Sequence, residues 1–389
     1  MTKPRLLITA STFPRWAGDT EPRFVYDLAK SLLPFFDVTV LAPSAPGALT
    51  QEVMEGVKVI RYRYFPIKRF ETLCYPGAIV PRIRQKKSRA ILVPFLLLSL
   101  WVNLLRRSQK FDIIHAHWLI PQGIVQCFTG NTPYMVTGHG ADVTALNNSL
   151  FKGLKRRCLK KAGYVTAVSA HLMDEVRKIY PVPRSAVISM GCDTSEFGKQ
   201  YAIQNYFQQD EEKVILFVGR LAEKKGVTYL IEAMKDIDAR LCIVGDGPLM
   251  QSLRVQAEPQ GDKIRFLGAK SHVELRNIYA SADVFAAPSV TASDGDIEGF
   301  GLVLLEAMAS GLPVVASNSG GIRDVVRMGE NGILVEEKAP KALAVAINRL
   351  LEDEAEYNRL AEGGYATAAR YDYSEVGKRY AELLLRMLK

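Results

Sequence analysis

Short, nearly continuous runs of Val, Ile, Leu and Phe recur along this 389-residue chain, each followed by a stretch with helical spacing. Strands that alternate apolar with polar residues keep one face in water. Strands that are apolar throughout are covered on both faces, as in parallel sheets joined by crossover helices. The pattern predicts strands at 6–11, 37–43, 57–62, 112–117, 134–139, 164–169 and 186–190, and a second set at 214–220, 240–245, 264–268, 284–289, 313–317 and 332–336. Two sets predict an α/β protein of two Rossmann-like, doubly wound domains. The polar, aperiodic stretch 192–212 separates them. Residues 371–389 read as a helix with Val376, Tyr380, Leu383, Leu384 and Met387 on one apolar face. Ligands of open α/β sheets collect beyond the carboxyl ends of the strands, so two such domains would face each other across a ligand-binding cleft.

Charge is unevenly placed. Residues 61–110 hold twelve Lys or Arg and one acid, Glu71, a net of +11 in a chain whose total is +9. Within that stretch residues 91–105 are strongly apolar, with Arg82, Arg84, Lys86, Lys87 and Arg89 before them and Arg106, Arg107 and Lys110 after. A basic amphipathic segment can lie in an anionic membrane surface; a buried helix with solvated flanks gives the same pattern. Membrane contact through 61–110 is the expectation. No aromatic-interleaved basic motif accompanies the charge, which argues against nucleic acid as a partner. No run reaches the ~18 apolar residues that a membrane span needs, and the first apolar run is too short for a signal peptide. The five cysteines, Cys74, Cys127, Cys158, Cys192 and Cys242, are scattered and contain no Cys-x-x-Cys. That argues against a disulfide framework and for a reducing compartment. The expected location is cytoplasmic, at the inner face of the membrane.

Several motifs follow the predicted strands. Residues 298–310 read Glu-Gly-Phe-Gly-Leu-Val-Leu-Leu-Glu-Ala-Met-Ala-Ser, with Glu298 and Glu306 eight apart around the start of an apolar helix. A helix start behind glycines offers free N–H groups and a positive dipole end to a phosphate, and nearby carboxylates can accept bonds from sugar hydroxyls. After the strand at 214–218 comes Gly219-Arg220-Leu-Ala-Glu-Lys-Lys225-Gly226. Arg through its planar fork and Lys as a point charge can clamp a diphosphate; an exposed basic loop would read the same way.

Together these motifs resemble those of the retaining glycosyltransferases of family 4, which have the GT-B fold. The Gly-Arg-Leu-x-x-x-Lys-Gly loop stands at 219–226, the Glu-x-Phe-Gly-x-x-x-x-Glu-Ala motif at 298–307, a glycine pair at Gly320-Gly321 and an Asn-Gly turn at Asn331-Gly332. The resemblance covers nearly the whole chain. It implies an acceptor-binding domain over 1–195, a donor-binding domain over 196–370, and a C-terminal helix, 371–389, crossing back to the first. It implies transfer from a UDP- or GDP-sugar to a hydroxyl of a glycan or polyprenyl-diphosphate-linked acceptor, with no cofactor and no required metal. Arg220 and Lys225 would hold the donor diphosphate and stabilise the leaving group, with Gly219 beside them. Glu298 would contact the donor sugar, Glu306 the ribose, and the N–H groups of Phe300, Gly301 and Leu302 phosphate or sugar. In Thr137-Gly-His139-Gly-Ala-Asp142, His139 would stand near the reaction centre and Asp142 near the acceptor.

The chain departs from the family pattern between the first strand and first helix. Many members have a glycine pair there; this chain has Gly18 alone, with Arg15 and Arg23 nearby as candidate contacts for an acceptor diphosphate. His115-Ala-His117-Trp118 ends a strand, where packing or acceptor contact fits better than a metal site. Asp294-x-Asp296 matches a short metal-binding pattern of another glycosyltransferase fold, and is read here as a loop shaping the donor pocket. A two-domain oxidoreductase would need a Gly-x-Gly-x-x-Gly turn with an acid on the next strand, which neither 13–20 nor 245–248 supplies. A non-catalytic sugar-nucleotide binder remains as the alternative, against which the intact Arg220, Lys225, Glu298 and Glu306 weigh.

Overall fold

The computed structural model describes residues 2–19, 21–146, 148–204, 206–207 and 212–389. The chain divides into two compact units: one runs to Gly191 and takes back Tyr373–Lys389, the other is Cys192–Asp372.

The first unit has eight strands: β1 (Arg5–Thr9), β2 (Asp37–Pro43), β3 (Gln51–Met54), β4 (Val57–Tyr62), β5 (Ile113–His117), β6 (Tyr134–Gly138), β7 (Tyr164–Ala167) and β8 (Ser185–Val187), in the order β3-β4-β2-β1-β5-β6-β7-β8. All neighbours are parallel except β3 and β4. The edge strand β3 is absent from the sequence reading. Its residues are largely exposed, so no apolar run marks it; the local signal is Glu55-Gly56, both at positive φ, which turns the chain back into β4. The helix Tyr373–Arg386 lies against the helix Phe24–Ser31. Gly377 is packed so closely that a Cβ would stand 2.5 Å from Ser31 Oγ, and the Tyr380 hydroxyl donates to the Ile188 carbonyl at 2.9 Å.

The second unit has six parallel strands: β9 (Val214–Val218), β10 (Arg240–Val244), β11 (Ile264–Gly268), β12 (Val284–Ala287), β13 (Val314–Ser317) and β14 (Ile333–Val335), in the order β11-β10-β9-β12-β13-β14. Its core joins Ile215, Phe217, Leu241, Ile243 and Val315 to the helices Val227–Ala233 and Pro340–Glu352. Both sheets reverse their strand order once, between β1 and β5 and between β9 and β12, and such switch points open the crevice in which α/β sheets bind ligands.

One expectation is corrected. The helical stretch Lys87–Lys110 is 24 residues long and contains an 18-residue window of mean hydropathy 1.8, enough by length and composition to cross a membrane. The count of consecutive apolar residues missed this because Ser99 and Asn103 interrupt the run. Leu92, Leu96, Leu100 and Leu104, four apart, form its buried face.

Candidate functional site

In the second unit the switch point gathers two loops. The loop after β9 carries Arg220 and Lys225; the segment after β12 carries Ser289 and then Asp296–Gly301. The first closes on Gly226, at φ 63°, where a Cβ would stand 1.8 Å from the Pro288 carbonyl oxygen, so only glycine lets the two loops meet. The second is held from behind by the glycine pair. Gly321 N donates to Glu298 O at 3.0 Å, and a Cβ on Gly321 would stand 2.0 Å from Gly299 O.

This backbone packing delivers the Lys225 ammonium to the Glu298 carboxylate, an ion pair whose side chains are 15% and 12% exposed. Burial alone would raise the Glu298 pKa, but the charges of Lys225 and Lys224 more than offset it and hold the carboxyl below its ordinary value. The Glu298 carboxyl is therefore ionised at neutral pH. Lys225 and Glu298 line a small pocket with Phe217, Ser289, Gly301 and Leu304. Gly301, at φ 90°, opens the helix Leu302–Ala309. Among the described residues no acceptor meets the N–H groups of Phe300, Gly301 and Leu302, which leaves donors at a positive helix end. Arg220 is exposed and, among the described residues, its side chain has no hydrogen-bond or ion-pair partner. One turn into the helix, Glu306 accepts a hydrogen bond from the Tyr279 hydroxyl at 2.8 Å. Burial raises its pKa, and Tyr279, His272 and Lys225 offset only part of that. Tyr279, with no sequence signal of its own, fixes the carboxylate that was expected to meet a ribose.

Asp296 pairs with Lys224 at 3.1 Å, and the Asp296 N–H donates to Asp294 Oδ1 at 3.0 Å. Among the described residues no group of three or more His, Cys, Asp or Glu is placed to hold a metal.

In the first unit, β5 and β6 put three histidines in a row. His115 Nε2 meets Thr137 Oγ1 at 2.7 Å, and His117 Nδ1 meets His139 Nε2 at 3.0 Å with the two rings stacked. Phe24 and Trp118 flank His139, at ring separations of 5.3 and 4.9 Å. Burial pushes the pKa of His115 and of His139 down to about 3, and that of His117 well below its ordinary value, so all three are neutral imidazoles at pH 7. The sequence points to His139 and leaves His117 to packing or acceptor contact; the structure makes His117 the group that holds the His139 ring.

Three expected acceptor contacts have partners within the chain. Asp142 Oδ1 accepts from the N–H groups of His139 (3.0 Å) and Gly140 (2.8 Å), and Oδ2 from Leu119 N (2.8 Å). It shapes the loop that carries His139. Beside it Lys155, buried, donates to the Val143 and Ala145 carbonyls, and burial pushes its pKa down to about 8. The Arg15 guanidinium forks onto Asp19, through Nε at 3.0 Å and Nη2 at 2.9 Å, between the rings of Trp16 and Tyr75. Arg23 pairs with Asp27 at 3.1 Å. Gly18 is exposed with nothing within 4 Å of a Cβ, so packing does not require glycine there.

The profile of the glycosyl transferases group 1 matches residues 199–367, and that of glycosyltransferase family 4 matches residues 22–196. The phosphatidyl-myo-inositol mannosyltransferase of Mycobacterium tuberculosis is 30% identical over 359 residues, 86% of this chain and 92% of that protein. The GDP-mannose-dependent alpha-(1-6)-phosphatidylinositol monomannoside mannosyltransferase of the same organism is 31% identical over 237 residues, 58% of this chain and 62% of that one. The Anabaena HepE protein, solved with UDP and glucose, superposes with a TM-score of 0.74 at 20% identity, covering 98% of this chain and 100% of that one.

Proposed function

The chain belongs to the family 4 glycosyltransferases, of GT-B fold, and from that premise we propose that it moves a sugar from a UDP- or GDP-sugar to a hydroxyl of a lipid-linked or glycan acceptor, with retention of configuration and without a metal ion. The observation that carries this reading is the cationic half-site of the second unit. Among the described residues the Arg220 side chain and the N–H groups of Phe300, Gly301 and Leu302 at the helix start have no partner, and Lys225 pairs with Glu298 beside them.

A leaving diphosphate gathers negative charge as the glycosidic bond breaks. Fixed donors already aimed at that charge lower the barrier without reorganising. Arg220 and Lys225 fill that role, Glu298 orients sugar hydroxyls, and Glu306, steadied by Tyr279, accepts from the ribose. His139, neutral, can hydrogen-bond a sugar hydroxyl but carries no charge to the reaction. The first unit then serves the acceptor, at the cytoplasmic face of a membrane reached through residues 61–110. The two relatives named for phosphatidylinositol substrates are consistent with a lipid acceptor.

The test is to offer a panel of UDP- and GDP-sugars with lipid-linked and free glycan acceptors in EDTA, and to read the anomeric configuration of the product by NMR. Transfer with retained configuration is expected. Inverted product, or transfer only after a divalent cation is restored, would overturn the mechanism.

A further inference from the structure

We propose that the first unit lies in the plane of an anionic lipid surface, inserting the outward face of the helix Val93–Arg107 and the loop 65–70 beside it. The inference deepens the membrane contact proposed above and rests on it.

A surface helix of a soluble domain turns a polar face to water; this one is apolar on both faces. Opposite the buried leucines stand Ile91, Phe95, Leu98, Trp101 and Leu105, 71%, 41%, 58%, 38% and 42% exposed. The patch extends beyond the helix. Phe65 bridges Phe70 and Phe95 with ring separations of 6.3 and 5.0 Å, bringing exposed Ile67 and Phe70 alongside. At the other end Trp101 Nε1 donates to the Phe128 carbonyl at 3.3 Å, and Phe128, itself exposed, lies under the Arg157 guanidinium.

The rim is cationic. Lys68, Arg69, Arg84, Lys86, Lys87, Arg106 and Lys110 are exposed around the patch. Two cations counted in the sequence drop out, since Arg61 is buried against Glu52 and Arg63 pairs with Glu71. The same pairing removes the only acid of the segment, for Glu71 is 3% exposed. An apolar strip rimmed by cations without an outward acid complements phosphate headgroups over acyl chains. Each Lys or Arg close to such a surface strengthens binding by about fivefold, and a tryptophan at the rim suits the headgroup level.

The contact lies in the plane rather than across the bilayer. Spanning would pull Leu92, Leu96, Leu100 and Leu104 out of the unit, where they are 6% exposed or less. Lying flat keeps those leucines in place and buries the opposite face.

The test uses the full chain in vesicle flotation, with phosphatidylcholine alone against phosphatidylcholine carrying roughly 30% phosphatidylglycerol. The protein should float with the anionic vesicles, be released by alkaline carbonate, and lose at least about tenfold in affinity on Phe95→Glu with Leu98→Glu. Both side chains are exposed, so the melting curve should hold, and Val345→Glu, at a 68% exposed site of the other unit, should leave flotation intact. Absence of flotation with either vesicle would overturn the membrane contact itself. Flotation that the Phe95 and Leu98 changes leave intact would overturn this surface as its means, and binding that resists carbonate would overturn the in-plane arrangement.

Discussion

Arg220 and Lys225 differ in one respect that the sequence could not display: the Arg220 side chain has no partner among the described residues, whereas Lys225 pairs with the largely buried Glu298 carboxylate. Arg220→Ala should therefore lower kcat/KM by roughly 10²–10³ with an unchanged melting temperature; a shifted melting curve would show that the side chain has a structural partner. Lys225→Ala removes one member of a buried pair, so it should also cost roughly 3 kcal/mol of stability. Adding Glu298→Gln should restore the fold but not the activity, which separates the two roles. At the histidines, His117 Nε2 is buried without a partner among the described residues. A bare nitrogen is tolerated there better than an orphan N–H, so the shared proton belongs on His117 Nδ1, and His139 must carry its own on Nδ1. Two-bond ¹H–¹⁵N correlations should show that tautomer; a proton on His139 Nε2 would refute it. All three histidines have folded pKa values below the unfolded one of about 6.5, so the unfolded chain takes up protons first. Their contribution is complete above that value and is lost as pH falls towards about 3. Urea midpoints measured across this window should fall with pH; a flat profile would mean that the rings are solvated.

At the scale of elements, thirteen of the fourteen strands correspond to runs visible in the sequence, because a parallel strand covered on both faces must be apolar nearly throughout. The edge strand β3 escaped for the converse reason. Motif positions were legible as well, since glycine is irreplaceable where backbones touch. Side-chain pairings were not: Lys225 and Glu298 are 73 residues apart, and Tyr279 and Glu306 are 27 apart. Their meeting depends on how two loops pack. Arg15 and Asp142, read as candidates for ligand contact, have partners inside the chain that the sequence did not display: Asp19 and the Pro46 carbonyl for Arg15, and the N–H groups of His139, Gly140 and Leu119 for Asp142. The glycine pair offers a direct test. Gly321→Ala forces a Cβ to 2.0 Å from Gly299 O, so it should cost about 1–3 kcal/mol and displace the Glu298–Gly301 loop. Gly153→Ala, in the helix Ser149–Lys161 with nothing within 4 Å, should instead gain about 0.5–1 kcal/mol. Chemical denaturation of both variants checks the signs.

For the whole molecule, the proposed function assigns each unit its own candidate groups. One presents cations and a helix start at the switch point of six parallel strands. The other holds neutral histidines beneath the returning C-terminal helix, where Tyr380 packs 5.3 Å from the His115 ring. With Asp296 paired to Lys224, catalysis should persist in EDTA. The central claim is that the second unit binds a nucleoside diphosphate sugar through Arg220. Calorimetric titration of UDP- and GDP-sugars into the metal-free protein and into Arg220→Ala tests it most directly. One donor class should bind the native chain and bind the variant at least about tenfold more weakly; binding of equal strength to both, or to neither, would contradict the account.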